Sequence, residues 1–188
     1  MARELGVPVQ LVFDAFSAAL VMSAVLGPYA GRAIDRFGGR PVLVVTSLIF
    51  ALGLAILAGA SGPVSLFAAW AVLGVGMGSG LYEAAFATLV RLHGQQARGA
   101  ISGVTLFAGF ASTIGWPLSA VLEAHFGWRG ACLGWAGLHL LIGMPLNWSL
   151  PKAARTGKAE DTAPAPNQVA TESPRRASLL LAFVFAAT

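Results

Sequence analysis

Apolar residues along this chain of 188 residues fall into five long blocks separated by short polar stretches. The blocks cover roughly residues 9–30, 41–60, 66–90, 99–122 and 130–150. A helix needs about 20 apolar residues to cross a hydrocarbon core of about 30 Å. Each block therefore predicts a spanning helix, and together they predict an all-α integral membrane fold, a polytopic helix bundle. Residues 1–8 read as an external N-terminal segment. From 151 to 177 Pro, Ala, Thr, Lys and Glu replace the apolar pattern, which predicts a flexible cytoplasmic linker. Residues 178–188 open a further apolar run that is too short to span and reads as the start of another helix.

The faces of the predicted helices differ. In the first block Asp14, Ser17, Val21, Ala24, Pro28, Gly31 and Asp35 form one small or polar stripe at about 100° per residue. Small faces pack against other helices in lipid, so this stripe is expected to face protein. The third block carries two small-residue rows on different faces. Gly76, Gly80, Glu83 and Ala87 share one, and Gly74, Gly78 and Tyr82 lie on the other. Such a helix is expected to be packed on two sides, inside the bundle. The fourth block puts Gly109, Thr113, Trp116 and Ala120 on one face, with Pro117 as a potential kink.

Composition sharpens this picture. Hydrophobic residues make up 56% of the chain and charged residues only 11%, against about a quarter charged in a soluble domain. The net charge of +4 sits in a few turns between apolar blocks, which does not suggest a nucleic-acid partner. All but Arg3 and Arg129 of the twelve Lys and Arg residues fall in the first basic turn, the turn near Arg91 to Arg98, or the linker. By the positive-inside rule those stretches are cytoplasmic and the N-terminus lies outside. In a bacterial inner membrane, the expected setting, that orientation calls for a preceding helix or an unusual insertion. A single cysteine, Cys132, excludes an internal disulfide and gives no metal-ligand spacing. No signal-peptide pattern opens the chain. No nucleophile–base pair, metal cluster or phosphate loop is visible, so neither an enzyme nor a bound cofactor is expected.

The most informative stretch is Gly27 to Leu43, GPYAGRAIDRFGGRPVL. Two apolar blocks meet there across a short basic turn holding Gly31, Asp35, Arg36, Gly38 and Arg40. That order resembles the signature between the second and third helices of the major facilitator superfamily, a large class of secondary transporters. The resemblance implies helices two to six of a six-helix half, the linker, and the opening of helix seven, with the C-terminal half of the transporter missing. It implies that Asp35 latches onto a helix N-terminus in that second half while the transporter is open outward. It also gives Arg36 and Arg40 partners among carboxylates and lipid headgroups, unless they merely enforce orientation. Trp70 stands where proton-coupled members often carry an arginine, so coupling through that arginine is not supported. Gly115-Trp116-Pro117 only approximates the antiporter pattern, and Gly127-Trp128-Arg129 resembles the branch of monocarboxylate and oxalate/formate carriers.

The expected function is therefore transport of a small solute by alternating access, with an organic anion of the monocarboxylate type as the substrate the resemblance implies. A truncated membrane interaction protein without transport of its own is the alternative. Expected partners are a small-molecule substrate and the lipid bilayer. Glu83 is the leading candidate for cavity or coupling chemistry, because an acid inside a span faces a cavity or a partner; Arg36 is one such partner. Tyr82 is a further cavity candidate, with packing as the alternative, and Trp116 another. Asp14 is a candidate that lies close enough to the outer surface to reach water. His139 reads as a lone membrane histidine bonded to the backbone, and Trp148 as an interfacial anchor.

Overall fold

The structure, a computed structural model, describes residues 1–80, 82–93 and 97–150; at residues 82, 83, 91–93, 100, 107 and 112 it describes the backbone alone. All of these belong to one compact unit, Met1–Ala154. The expected linker and the apolar start at 178–188 lie outside the described residues. The described residues are predominantly helical, with no strand among them. Four helical stretches are long and apolar enough to cross a membrane: Val9–Phe37, Gly39–Ala58, Pro63–Val90 and Ala97–Ser149.

Helix α1 (Val9–Phe37) follows the extended Pro8, whose carbonyl accepts from Leu11 N–H at 3.0 Å. It continues through Pro28 and ends where Gly38 N–H donates to Ile34 O at 2.8 Å. Helix α2 (Gly39–Ala58) starts at the next residue. Pro41 sits in its first turn, where a missing N–H leaves no intrahelical bond unmade. The turn after α2 is closed by Ser65 Oγ, which accepts from Ser61 N–H at 2.9 Å and Gly62 N–H at 3.1 Å. Those bonds fix the start of α3 (Pro63–Gly80), with proline again at the first helical position. Helix α4 (Tyr82–His93) carries on beyond α3.

Helix α3 packs against both α1 and α2, and its two glycine rows are the reason. A Cβ at Gly74 would stand 2.8 Å from Ala19 O, and one at Gly78 2.8 Å from Ser23 O, both backbone atoms of α1. On the other row a Cβ at Gly76 would lie 3.2 Å from the Phe50 ring, and one at Gly80 would overlap the Thr46 side chain, both on α2. The two rows thus serve two neighbours, as their spacing predicts. Thr46, only 4% exposed, donates to Val42 O at 2.9 Å and meets Ser79 Oγ at 2.9 Å, so the close α2–α3 approach is also hydrogen-bonded.

The packed stripe of α1 differs from expectation. Ala15 and Ala19 are buried, while Asp14, Ser17, Val21, Ala24 and Pro28 are exposed. The glycines of α3 draw in Ala19 and Ser23, which lie about two-fifths of a turn from the predicted stripe at about 100° per residue, and that contact sets the rotation of the helix.

Helix α5 (Ala97–Leu138) is continuous except at Gly127, whose φ of 68° and ψ of 175° are not helical. The chain reverses there. Trp135 Nε1 donates to Ser119 Oγ at 3.0 Å, although a straight helix would separate the two by roughly 24 Å. The reversal at Gly127 lies between the predicted apolar blocks 99–122 and 130–150. A π-helical segment (His139–Gly143) and α6 (Met144–Ser149) complete the returning limb, which runs along α2. The His139 ring stacks on Phe50 at 5.0 Å. Asn147 Nδ2 donates to Ser47 Oγ at 3.0 Å and to Leu43 O at 3.3 Å. Helix α2 is therefore held by α3 on one side and by the returning limb on the other.

Candidate functional site at the α1–α2 junction

The motif that the sequence places in a turn is almost wholly helical. Gly31, Asp35 and Arg36 lie on the last turns of α1, Arg40 lies on the first turn of α2, and one residue, Gly38, makes the reversal. Its φ of 88° and ψ of 159° fall in a region essentially restricted to glycine. Glycine is needed at Gly39 for a different reason: a Cβ there would overlap the side chain of Thr88 on α4. Thr88 is 5% exposed and donates to Ala84 O at 2.7 Å, so it has little freedom to yield. At Gly31, by contrast, a Cβ would meet nothing within 4 Å.

Beneath the junction, Ile34 is fully buried against Leu43 and Ala84, with Val42, Ala87 and Leu150 around them. This cluster joins α1, α2 and α4. It holds the last turn of α1 rigidly enough to fix where the neighbouring Asp35 and Arg36 emerge, both exposed. The arginines are spread over aromatic rings. Arg32 lies 4.6 Å from the Tyr29 centroid, Arg36 5.2 Å from Phe37, and Arg40 5.0 Å from Trp148. Such cation–π contacts hold each guanidinium in place while leaving N–H donors available.

The remaining candidates are scattered. Asp14 is exposed on α1 and accepts from Gln10 Nε2 at 3.2 Å. It is roughly 30 Å along the helix from Asp35. Trp116 is 79% exposed and borders a niche of about 310 Å³ with Gly115, Ser119 and Trp135. Tyr82 and Glu83 open α4, but their side chains lie outside the described residues. Trp148, read as an interfacial anchor, also forms one wall of a groove beside Arg40. Sequence reasoning missed Gly39. The doublet Gly38-Gly39 carried the signal, since a turn of one residue needs only one glycine and the second implies close approach of another helix.

The far end of the bundle has its own clasp. Arg129 donates to Ala58 O, and to Ala60 O at 2.8 Å, at the C-terminal end of α2. A cation there suits the helix dipole. Trp128 Nε1 donates to Glu4 Oε2 at 2.8 Å, and Leu5 is buried in a cluster with Ala15, Leu57, Ala60 and Leu66. The Gly127-Trp128-Arg129 turn thereby pins the N-terminal segment and α2 together.

A bundle of long apolar helices with a glycine-made, arginine-rimmed reversal at one end is a polytopic membrane protein of the transporter type. The chain belongs to the Major Facilitator Superfamily, whose family model matches residues 1–188. It is similar to monocarboxylate transporter 3 of Rattus norvegicus, 31% identical over 61% of this chain and 23% of that protein. A probable sulfoacetate transporter of Cupriavidus necator is 31% identical over 74% of this chain and 30% of its own length. An uncharacterized 38 kDa protein of Thermoproteus tenax is 30% identical over 78% of this chain and 38% of its own. The matches thus span well under half the length of these relatives. No solved structure gives a significant match.

Proposed function

We propose that this chain forms part of a secondary transporter that moves a small organic anion across a membrane by alternating access, without enzymatic chemistry. The observation that carries this reading is family membership, together with relatives named for monocarboxylate and sulfoacetate transport. In such carriers two helical halves rock around a site near the bilayer midplane. In this reading the described helices are helices two to six of the first half, the N-terminus is outside, and the basic turns face the cytoplasm of a bacterium.

The α1–α2 junction acts as a conformational latch in this scheme. Asp35 engages a helix N-terminus of the opposite half, where its charge is favoured by up to about 1–2 kcal/mol. Gly38 sets the angle at which α1 and α2 meet, and Gly31, Arg36 and Arg40 complete the motif. Glu83 is the candidate coupling group, with Tyr82, Trp116 and Asp14 as further cavity candidates. The test is uptake by the complete carrier in liposomes, over a panel of small organic anions and neutral solutes at two pH values. Uptake of one anion, with its pH dependence abolished in Glu83→Gln, supports both the substrate class and the coupling role. Uptake of neutral solutes alone would overturn the anion reading, and an unchanged pH profile would remove Glu83 from coupling.

A further inference from the structure

Two niches lie between the outgoing and returning limbs on either side of Gly127, and they share Trp135. One, of about 310 Å³, is lined by Gly115, Trp116, Ser119 and Trp135. The other, of about 280 Å³, is lined by Trp135, Leu138, His139, Ile142 and Gly143. An apolar cavity of about 150 Å³ already holds benzene, so the first niche, with an indole from each limb, has room for an aromatic ring. Gly115 keeps it open, since a Cβ there would meet nothing within 4 Å.

The second niche supplies the polar end. His139 opens the π-helical segment, in which Met144 N–H donates to His139 O; such bulges occur frequently at functional sites. The face of the His139 ring stacks on Phe50, but among the described residues its nitrogens have no hydrogen-bond partner. A Cβ at Gly143 would stand 3.6 Å from His139 Nδ1, so glycine leaves that nitrogen uncovered. Trp116 and His139 also lie at matching depth. They are 11 and 12 residues from the reversal at Gly127, roughly 16 and 18 Å along their limbs. With Gly127 at one membrane face, both sit near the middle of a core of about 30 Å, where carriers hold their substrates.

We propose that this cleft binds an aryl-substituted carboxylate, with its ring between Trp116 and Trp135 and its carboxylate accepting a hydrogen bond from His139. Trp135 and His139 are four residues apart, about 6 Å along the limb, which fits a carboxylate a few bonds from its ring. A carboxylate at that depth needs a donor to replace its water, and the imidazole N–H is one. The proposal rests on the reading of the chain as part of an organic-anion carrier and narrows the anion to an aromatic one.

The test is uptake of radiolabelled 3-phenylpropionate and propionate, which differ only by the phenyl ring, by the complete carrier in liposomes. Wild type is expected to show a KM lower for 3-phenylpropionate by about tenfold or more, from burial of the ring against two indoles. Trp116→Leu, at a position 79% exposed, is expected to raise that KM by about two- to tenfold and to leave propionate unchanged. Gly115→Leu fills the first niche and is expected to abolish the preference, with propionate uptake showing that the carrier is intact. His139→Leu is expected to raise KM for both acids by about tenfold, and His139→Gln, which keeps an N–H donor, to stay closer to wild type. Equal KM values for the two acids in wild type overturn the proposal and leave the anion reading standing, whereas uptake of no organic anion overturns both. A preference that survives both Gly115→Leu and Trp116→Leu, or an unchanged KM in His139→Leu, also overturns the proposal.

Discussion

The approach of α3 to the backbone of α1 is a packing feature on which the bundle turns, and Gly74→Ala tests it most directly. The added methyl would sit 2.8 Å from Ala19 O, 3.0 Å from Ala19 Cα and 3.3 Å from Ala19 C. All three are main-chain atoms, so no rotamer change relieves the contact. Restoring ordinary contact moves the helices apart by about half an ångström along that seam, and a gap of that size forfeits about a quarter of each dispersion well across it. Overpacking of this kind costs about 1–3 kcal/mol. Against it runs a gain of about 1 kcal/mol for replacing a mid-helix glycine by alanine. The gain cancels in a comparison with Gly103→Ala on α5, where a Cβ meets nothing within 4 Å. Gly74→Ala is therefore expected to be less stable than Gly103→Ala by about 1–3 kcal/mol. Unfolding of the chain in mixed micelles by added sodium dodecyl sulfate, followed by far-ultraviolet circular dichroism, measures the difference. Equal stability of the two variants would refute the claim that the glycine row exists to admit the α1 backbone.

Four further outcomes follow from the two ends of the bundle. Gly38→Ala is expected to cost about 1–3 kcal/mol in the same unfolding assay, because its backbone angles exclude a side chain, whereas Gly31→Ala is expected to be neutral or mildly stabilising. Arg129→Gln is expected to cost about 1.5 kcal/mol, the low end for charged hydrogen bonds because the side chain is 40% exposed. Glu4→Gln in the same assay keeps an acceptor for Trp128 and loses only a surface ion pair, so its cost is expected to stay below about 0.5 kcal/mol. In the complete carrier, Asp35→Asn is expected to shift the balance of inward-open and outward-open forms by up to about tenfold, read by labelling of cysteines placed on either side; an unchanged balance removes Asp35 as a latch.

Much of this architecture was legible because lipid simplifies the code. Long apolar blocks set the helices, and the two glycine rows of the third block named two packing faces, which the contacts of Gly74, Gly78, Gly76 and Gly80 bear out. The rotation of α1 was not legible, since small residues fill more than one face of that helix and only the position of α3 decides which is buried. The junction read as a loop because charged residues interrupt the apolar pattern there. Helix formation depends on backbone bonds, however, and α1 continues through Arg32, Asp35 and Arg36 until Gly38 stops it. Gly39 and Trp148 were invisible as partners of the motif, because the helices that bring Thr88 and α6 to them are distant in sequence. The arginine of Gly127-Trp128-Arg129 showed its charge but not its target, the two carbonyls at the end of α2.

The same packing explains how a charged junction can be both exposed and exact in position. Asp35 follows the fully buried Ile34, and Glu83 precedes the buried Ala84, which Ile34 touches through one small cluster. Two of the acids that the sequence singles out, Asp35 and Glu83, are thus the immediate chain neighbours of two residues in one cluster. Ala84 leaves room for Ile34 because its side chain is small, and Gly39 lets Thr88 of the same helix come close one turn further along. Helices α1, α2 and α4 meet there through the apolar cluster of Ile34, Leu43 and Ala84. A well-packed contact of this kind resists continuous deformation and transmits displacement as a unit. If the junction is a latch, its setting is read by α4 through Ile34 and Ala84, and the one-residue reversal at Gly38 is the point about which that unit turns.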